Sequence, residues 1–294
     1  MKTSWVPLFG TIEVKGDDIT YVAKTINVGP NAGQLQVGLV KSNINFENGE
    51  ATFEVLLSDP RCACQLVLNH GLSDELFVGL RHGGYAIAKF KNGQWEFISS
   101  TGDLELPVDR PIAIRVGVRG SQINLFVDDV KVCSAVESVQ PSQLALFLQG
   151  TANFTVNKFS AIVQAPKVFV VMQFSEPYNA LYNDVIRPTC EAFGFEVVRA
   201  DDIYNSGLII EDITKSIREA SVVIADITQD NPNVFYEVGY AHAIHKTTIL
   251  LSDRRRNKLP FDVSGFRTLF YDNTIGGKGA VEANLKKHLE SLTL

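Results

Sequence analysis

The sequence predicts two units of different fold class in one chain: an antiparallel β-sandwich over residues 1–164 and a doubly wound parallel α/β sheet over residues 167–294. Three observations predict this. The first half carries period-two alternation in many short runs, spaced by roughly ten residues. The second half alternates continuous apolar runs with stretches of helical periodicity. The change falls at Gln164-Ala165-Pro166. A chain of 294 residues, 45% hydrophobic and 20% charged, is long enough for two cores and excludes disorder, a collagen-like repeat or a coiled coil.

In the first half, Phe53, Val55 and Leu57 alternate with polar neighbours. Ile112, Ile114, Val116 and Val118 do the same among Ala113, Arg115, Gly117 and Arg119, the pattern of a half-buried strand. Leu66-Leu68, Leu76-Leu80, Leu144-Leu148 and Phe154-Val156 read as further short strands. Two hairpins are signalled. Tyr85–Lys91 and Gln94–Ile98 flank Asn92-Gly93, and Ile123–Val127 and Val130–Cys133 flank Asp128-Asp129. No amphipathic helix interrupts them. This strand rhythm, with the runs Ile114-Arg115-Val116 and Asn124-Leu125-Phe126-Val127-Asp128, resembles a laminin-G or concanavalin-like jelly roll over roughly residues 40–160. The resemblance implies a carbohydrate or protein ligand and a role as sensor or assembly domain. Trp95 and Tyr85 are the aromatic candidates for stacking on a sugar, against ordinary sandwich packing. No Asp/Asn cluster has calcium-loop spacing.

In the second half, Lys167 to Met172 is a continuous apolar run, as in a parallel strand covered on both faces. A helix follows over about Tyr178–Phe193, stopped by Gly194, then a strand over Phe195–Arg199. Ile209, Ile210, Ile213 and Ile217 mark a helix ending at Ala220. A strand over Ser221–Ala225, a helix over Pro232–His245 and a strand over Thr247–Leu251 come next. Arg267–Tyr271 closes the strands and Ala280–Leu292 the helices. Strands alternating with helices imply right-handed crossovers, and such sheets bind ligands beyond the carboxyl ends of their strands.

Three stretches converge at that edge: Met172-Gln173-Phe174-Ser175-Glu176, Arg199-Ala200-Asp201-Asp202, and Asp226 through Glu237. No Gly-x-Gly-x-x-Gly follows the first strand and no Walker lysine motif exists, which argues against a dinucleotide dehydrogenase and a P-loop ATPase. Asn231-Pro232 reads as an N-cap with proline at the first helical position. It places a helix N-terminus at the crevice, suited to a phosphate or a polar sugar edge. Glu237 follows on the second turn among Phe235, Tyr236, Gly239 and Ala241, where an unpaired carboxylate needs a reason.

At these residues the second half resembles the TIR-like and nucleoside 2-deoxyribosyltransferase-like superfamily. The matching pieces are Phe169-Val170-Val171-Met172-Gln173-Phe174, Arg199-Ala200-Asp201, Val223-Ile224-Ala225-Asp226, Asn231 through Ala241 and Leu259-Pro260-Phe261-Asp262. The resemblance implies a flavodoxin-like sheet and cleavage of an N-glycosidic bond in a nucleoside, nucleotide or NAD(P), bound as substrate rather than as cofactor. It makes Glu237 the catalytic carboxylate, stabilising or trapping an oxocarbenium-like state. It places Asp226, Asn231 and Asn233 on the sugar and leaving-base side, with Asp226 a proton source for a neutral base, and Asp212 near the ribose. Met172, Gln173 and Phe174 lie in the first strand-end loop, Gln173 standing where relatives often have proline. Tyr236 either stacks on a base or packs in the core, and Arg199 either meets a phosphate or pairs with Asp201 or Asp202.

The remaining signals point to classes this chain is not in. A net charge of −6 and a pI near 5.4 argue against general nucleic-acid binding, and Arg254-Arg255-Arg256 reads as a solvated turn. Cys62, Cys64, Cys133 and Cys190 have no zinc spacing and read as small buried hydrophobes, and His242 and His245 lack a third ligand, so no metal is expected. With no signal peptide and no apolar run of ~20 residues, the expectation is a cytoplasmic protein without a membrane span. Three functions compete: an N-glycosidase with the sandwich as sensor, the layout of TIR-like effectors of bacterial antiviral defence; a non-catalytic module binding a nucleotide signal; and a self-associating scaffold. A homo-oligomer is the expected assembly.

Overall fold

The structure, a computed structural model, describes residues 3–25, 36–108, 110–200, 208–256 and 258–293. The chain divides into two compact units, the change of unit after the last sandwich strand falling between Gln164 and Ala165. Each is considered by itself.

The first unit is a β-sandwich. In chain order its strands are β1 (Trp5–Phe9), β2 (Ile12–Lys15), β3 (Asp18–Tyr21), β4 (Gly38–Phe46), β5 (Gly49–Leu56), β6 (Ala63–Leu68) and β7 (Glu75–Arg81). Then follow β8 (Gly84–Lys91), β9 (Gln94–Ser100), β10 (Pro111–Arg119), β11 (Gln122–Val127), β12 (Val130–Val136), β13 (Ser142–Gln149) and β14 (Phe154–Val163). One sheet runs β1-β4-β13-β6-β7-β8-β9 and the other β12-β11-β10-β5-β14-β3-β2. Central pairs such as β10 with β5 and β13 with β6 are antiparallel. The alternating side chains of β5 and β10 (Phe53 and Val55; Ile112, Ile114, Val116 and Val118) are all buried between the sheets. Leu57, read as part of the first run, is buried just beyond β5.

Both signalled hairpins form. Asn92 and Gly93 take φ of 52° and 78°, and Asp128 and Asp129 take 47° and 63°, the paired left-handed geometry that matches strand twist. The second turn lacks glycine. The Asp128 carboxylate compensates by accepting from the Ala113 backbone N–H at 3.0 Å. The sandwich begins earlier than residue 40: β1 buries only Trp5, while β2 sets half-buried Ile12 and Val14 against exposed Glu13 and Lys15, an alternation only four residues long.

The second unit holds β15 (Lys167–Val171), α1 (Tyr178–Leu181), a π-helical turn (Tyr182–Ile186), α2 (Arg187–Ala192), β16 (Glu196–Arg199) and α3 (Ile209–Glu219). Then come β17 (Val222–Asp226), α4 (Pro232–Ala243), β18 (Thr247–Asp253), α5 (Phe261–Ser264), β19 (Thr268–Tyr271) and α6 (Ile275–Thr293). The sheet is parallel throughout, in the order β16-β15-β17-β18-β19. The single helix expected over Tyr178–Phe193 is interrupted by the π turn, where Pro188 has no N–H to bond the Asp184 carbonyl four residues back.

The continuous apolar runs are explained by two separate cores. Val168, Val170, Val222 and Ile224 face one way, against Leu181, Ile186, Leu285 and Leu289. Phe169, Val171, Val223 and Ala225 face the other, against Ile217, Val234, Val238 and Ala241. A strand covered on both sides has no polar face to show.

Gly49 supplies a test of the sandwich register. It opens β5 at φ 130°, and a Cβ there would lie 2.0 Å from the Ile162 carbonyl oxygen. Gly49→Ala is expected to destabilise by at least about 1–3 kcal/mol in urea unfolding. Gly102→Ala, with open space around it, is expected to leave the midpoint unmoved.

Candidate functional site

A cavity of about 730 Å³ opens at the carboxyl ends of β15 and β16 and the start of α4. Here the connection out of β15 runs to β16 on one side while the next returns to β17 on the other, the place where such sheets leave a crevice. Seven residues singled out in the sequence line it: Met172, Gln173, Phe174, Asn231, Asn233, Tyr236 and Glu237.

Glu237 is buried, at 8% exposure, on the second turn of α4. Burial alone pushes its carboxyl up to about 7. None of the hydrogen bonds or ion pairs among the described residues involves it; what it meets is the cavity. Tyr236 is half exposed and lines the cavity instead of packing in the core.

The N-terminus of α4 forms as expected. Asn231 is extended at φ −98° and its Oδ1 accepts from the Asn233 N–H at 3.0 Å, with Pro232 next. The same geometry bears on the phosphate or polar sugar edge expected here. Pro232 has no N–H, the Asn233 N–H is taken by the Asn231 side chain, and the Phe235 N–H makes the first helical bond, to the Asn231 carbonyl at 3.2 Å. Of the four positions at the helix start, Asn231 to Val234, the N–H groups of Asn231 and Val234 stay without a partner among the described residues. No Lys, Arg or His lines the cavity among the described residues.

Three nominated residues are not in the lining. Asp226 is buried and accepts from the Tyr271 hydroxyl at 2.7 Å and the Thr228 N–H at 3.0 Å. Burial raises its pKa while those hydrogen bonds oppose the rise. Its side chain serves the loop after β17 and is no proton donor to the cavity. Arg199 is buried, donates to Asn179 Oδ1 at 2.9 Å, and lies over the rings of Tyr182 and Phe174 at 4.3 and 5.2 Å. Its proposed partners Asp201 and Asp202 lie outside the described residues. Asp212 is half-buried on α3 and does not reach the lining.

The sequence reading missed the opposite wall. Ile209, Ile210 and Ile213 of α3 line the cavity with Ala200, and only Ile217 of the expected stripe is buried. The pair Ile209-Ile210 held the signal, since successive helical residues point about 100° apart and cannot both face one sheet.

The sandwich has its own cavity, of about 720 Å³, on the outer side of the sheet containing β6 and β7. Trp95 lines it, 45% exposed, its ring packed on Phe77, Phe90 and Phe147 at 4.6, 5.1 and 6.0 Å. Gln65, Gln149, His82 and Arg81 supply polar edges. Tyr85 is not part of this platform; it is buried in the sandwich core.

Among the described residues no group of His, Cys, Asp and Glu could hold a metal, and no helix is long and apolar enough to cross a membrane. All four cysteines are free and buried, the Cys190 thiol pushed up to about 12 by burial.

No protein-family model matches the chain. No curated protein matches it either. Among solved structures it is similar to the carbohydrate-binding module CBM66 from Bacillus subtilis (15% identity, 53% of this chain and 94% of that one, TM-score 0.44). It is also similar to a prokaryotic β-1,3-1,4-glucanase (lichenase) derived from a mouse hindgut metagenome (14%, 54% and 92%, TM-score 0.42). A third is a β-glucanase of Bacillus licheniformis (10%, 54% and 92%, TM-score 0.41).

The raised carboxyl of Glu237 sets a pH dependence of stability. Its folded pKa of about 7 exceeds the ordinary 4.5, so the folded state holds the proton more tightly. Stability from this group is full below about 4.5, declines as pH rises to about 7, and is flat above. Glu237→Gln is therefore expected to flatten that decline and raise stability at pH 8 by at most about 3 kcal/mol, read from denaturant unfolding at pH 4.5 and 8.

Proposed function

We propose that the α/β unit is an N-glycosidase that cleaves the bond between C1′ and the base of a nucleoside, nucleotide or NAD(P), with Glu237 as the carboxylate at C1′. The observation that carries this reading is a buried carboxylate, unpaired among the described residues, in the wall of a cavity beside amide side chains. As the C1′–N bond breaks, its electron pair leaves with the base. The sugar becomes cationic at C1′ and O4′, where an adjacent carboxylate stabilises or captures it. Water then adds at C1′ and loses a proton. Asn231, Asn233 and Gln173 have the donors and acceptors that sugar hydroxyls need. The strand order, with β15 second from the edge, supports the flavodoxin-like reading of the sheet. On this reading the sandwich is the sensor of a two-part effector, of the type used in bacterial antiviral defence, and the chain works as a homo-oligomer.

The test is base release, followed by chromatography, from a panel of nucleosides, nucleotides and NAD(P) at high protein concentration. Glu237→Gln is expected to lower release by 10²-fold or more. The wild-type kcat/KM is expected to rise with pH and level off above about 7, because the carboxylate acts ionised. Saturable binding without turnover would favour a nucleotide-signal module instead, and neither binding nor turnover a scaffold.

The sandwich cavity supports a second component of the function, a neutral glycan ligand. Trp95 and Phe97 leave aromatic surface exposed, and the Gln65 and Gln149 amides lie alongside. The charged groups there are engaged within the protein, His70 with Glu75 at 2.9 Å and Arg81 with the Thr101 carbonyl at 2.9 Å. Titration with neutral oligosaccharides is expected to change tryptophan fluorescence, and Trp95→Ala to abolish the response. An unchanged spectrum across the panel would remove the glycan from the proposal.

A further inference from the structure

Resting on the glycosidase reading, we infer that the substrate is a pyridinium nucleoside carrying no phosphate, a cationic base on a bare ribose. The first argument is what the cavity lacks. A 5′-phosphate brings one to two negative charges that must be met by cations or by several backbone N–H groups. Among the described residues the lining has no basic side chain, and the start of α4 offers just the Asn231 and Val234 N–H groups. Arg199, the nearest arginine in sequence to the cavity wall, is engaged by Asn179, Tyr182 and Phe174.

The second argument concerns the leaving group. A neutral purine or pyrimidine departs as an anion unless an acid protonates it. The one titratable side chain of the described lining, apart from the Tyr236 phenol, is Glu237, and a carboxylate at C1′ cannot also protonate the base. Asp226 is committed to Tyr271 and Thr228. A pyridinium needs no acid. When its C1′–N bond breaks, the electron pair neutralises the ring nitrogen and the positive charge passes to the sugar. Water supplies the oxygen at C1′, and the products are ribose, the neutral pyridine base and one proton.

The third argument is charge and shape. A cationic ring beside Glu237 favours the ionised carboxylate, so binding itself draws the group down from its raised value and readies it for the step. Ile209, Ile210 and Ile213 line the same cavity as Phe174 and Tyr236, an apolar and aromatic lining that suits a flat cationic ring.

The experiment compares nicotinamide riboside, its 5′-monophosphate, NAD, inosine and cytidine with the full chain, measuring base release and the kcat/KM of each. Nicotinamide riboside is expected to exceed the monophosphate and NAD by 10²-fold or more, and both neutral nucleosides likewise. Faster release from the monophosphate, NAD, inosine or cytidine overturns the inference and leaves the glycosidase reading intact. Release from none of the five overturns both. In Glu237→Gln, nicotinamide riboside is expected to raise the melting temperature less than in wild type, and an equal rise would overturn the charge argument.

Discussion

A buried carboxylate with no cation paired to it among the described residues is the constraint around which the α/β unit is organised. Leaving Glu237 among apolar neighbours is unfavourable, and an unconstrained helix would turn it to solvent. It is held because its own side of α4 is committed: Val234 and Ala241, three before and four after it, pack with Val238 against Phe169, Val171 and Ala225 of the sheet. The start of α4 is fixed as firmly. Arg256 donates through Nη1 to the carbonyls of Ile227 and Thr228 at 2.9 and 2.8 Å, and through Nη2 to the Asp230 carboxylate at 2.5 Å. Asp226 holds the Thr228 N–H from the other side. The loop therefore delivers Asn231 to its capping position with little freedom, and the cap sets where Glu237 falls.

Much of this was legible in the sequence, for physical reasons that differ by element. The continuous apolar runs of β15 and β17 reflect burial on both faces, and no other environment demands it. Asn231-Pro232 located the start of α4 because capping uses local chemistry: a side-chain oxygen, a missing N–H and a fixed φ. The hairpin at Asn92-Gly93 was readable on the same ground. β1 was not, because an edge strand that buries only Trp5 needs no pattern, and β2 was not, because four alternating residues are too few to stand out. α5 was not, because four residues carry no period.

Side-chain destinations were the least legible. Arg254, Arg255 and Arg256 read as one solvated basic run, yet they meet three different acids: Asp272, Asp253 and Asp230. Only Arg256 is withdrawn from solvent, and its neighbours in the chain give no hint of that, since its partners lie some 26 to 29 residues upstream. Asp226 fails for the same reason. Its position at the end of β17 was right, but its partner Tyr271 lies two strands away across the sheet. Local sequence fixes where the backbone goes, whereas the direction of a polar side chain depends on which distant donor arrives beside it.

The two cavities show what that difference means for recognition. In the sandwich, the ionisable groups around the Trp95 platform have partners within the protein, His70 with Glu75 and Arg81 with the Thr101 carbonyl, so the surface presented is aromatic with amide edges. In the α/β unit the polar groups are tied on every side except one. Asn231 caps through its Oδ1, Arg199 stacks and Asp226 braces, while Glu237 is the charged side chain of the described lining that no partner holds. A lone carboxylate in a low-dielectric wall discriminates by charge: it repels an anion and gains its own ionisation from a cation. On the proposed glycosidase reading, substrate charge and catalytic readiness are then one equilibrium, and the residue that selects the ligand is the one that acts on it.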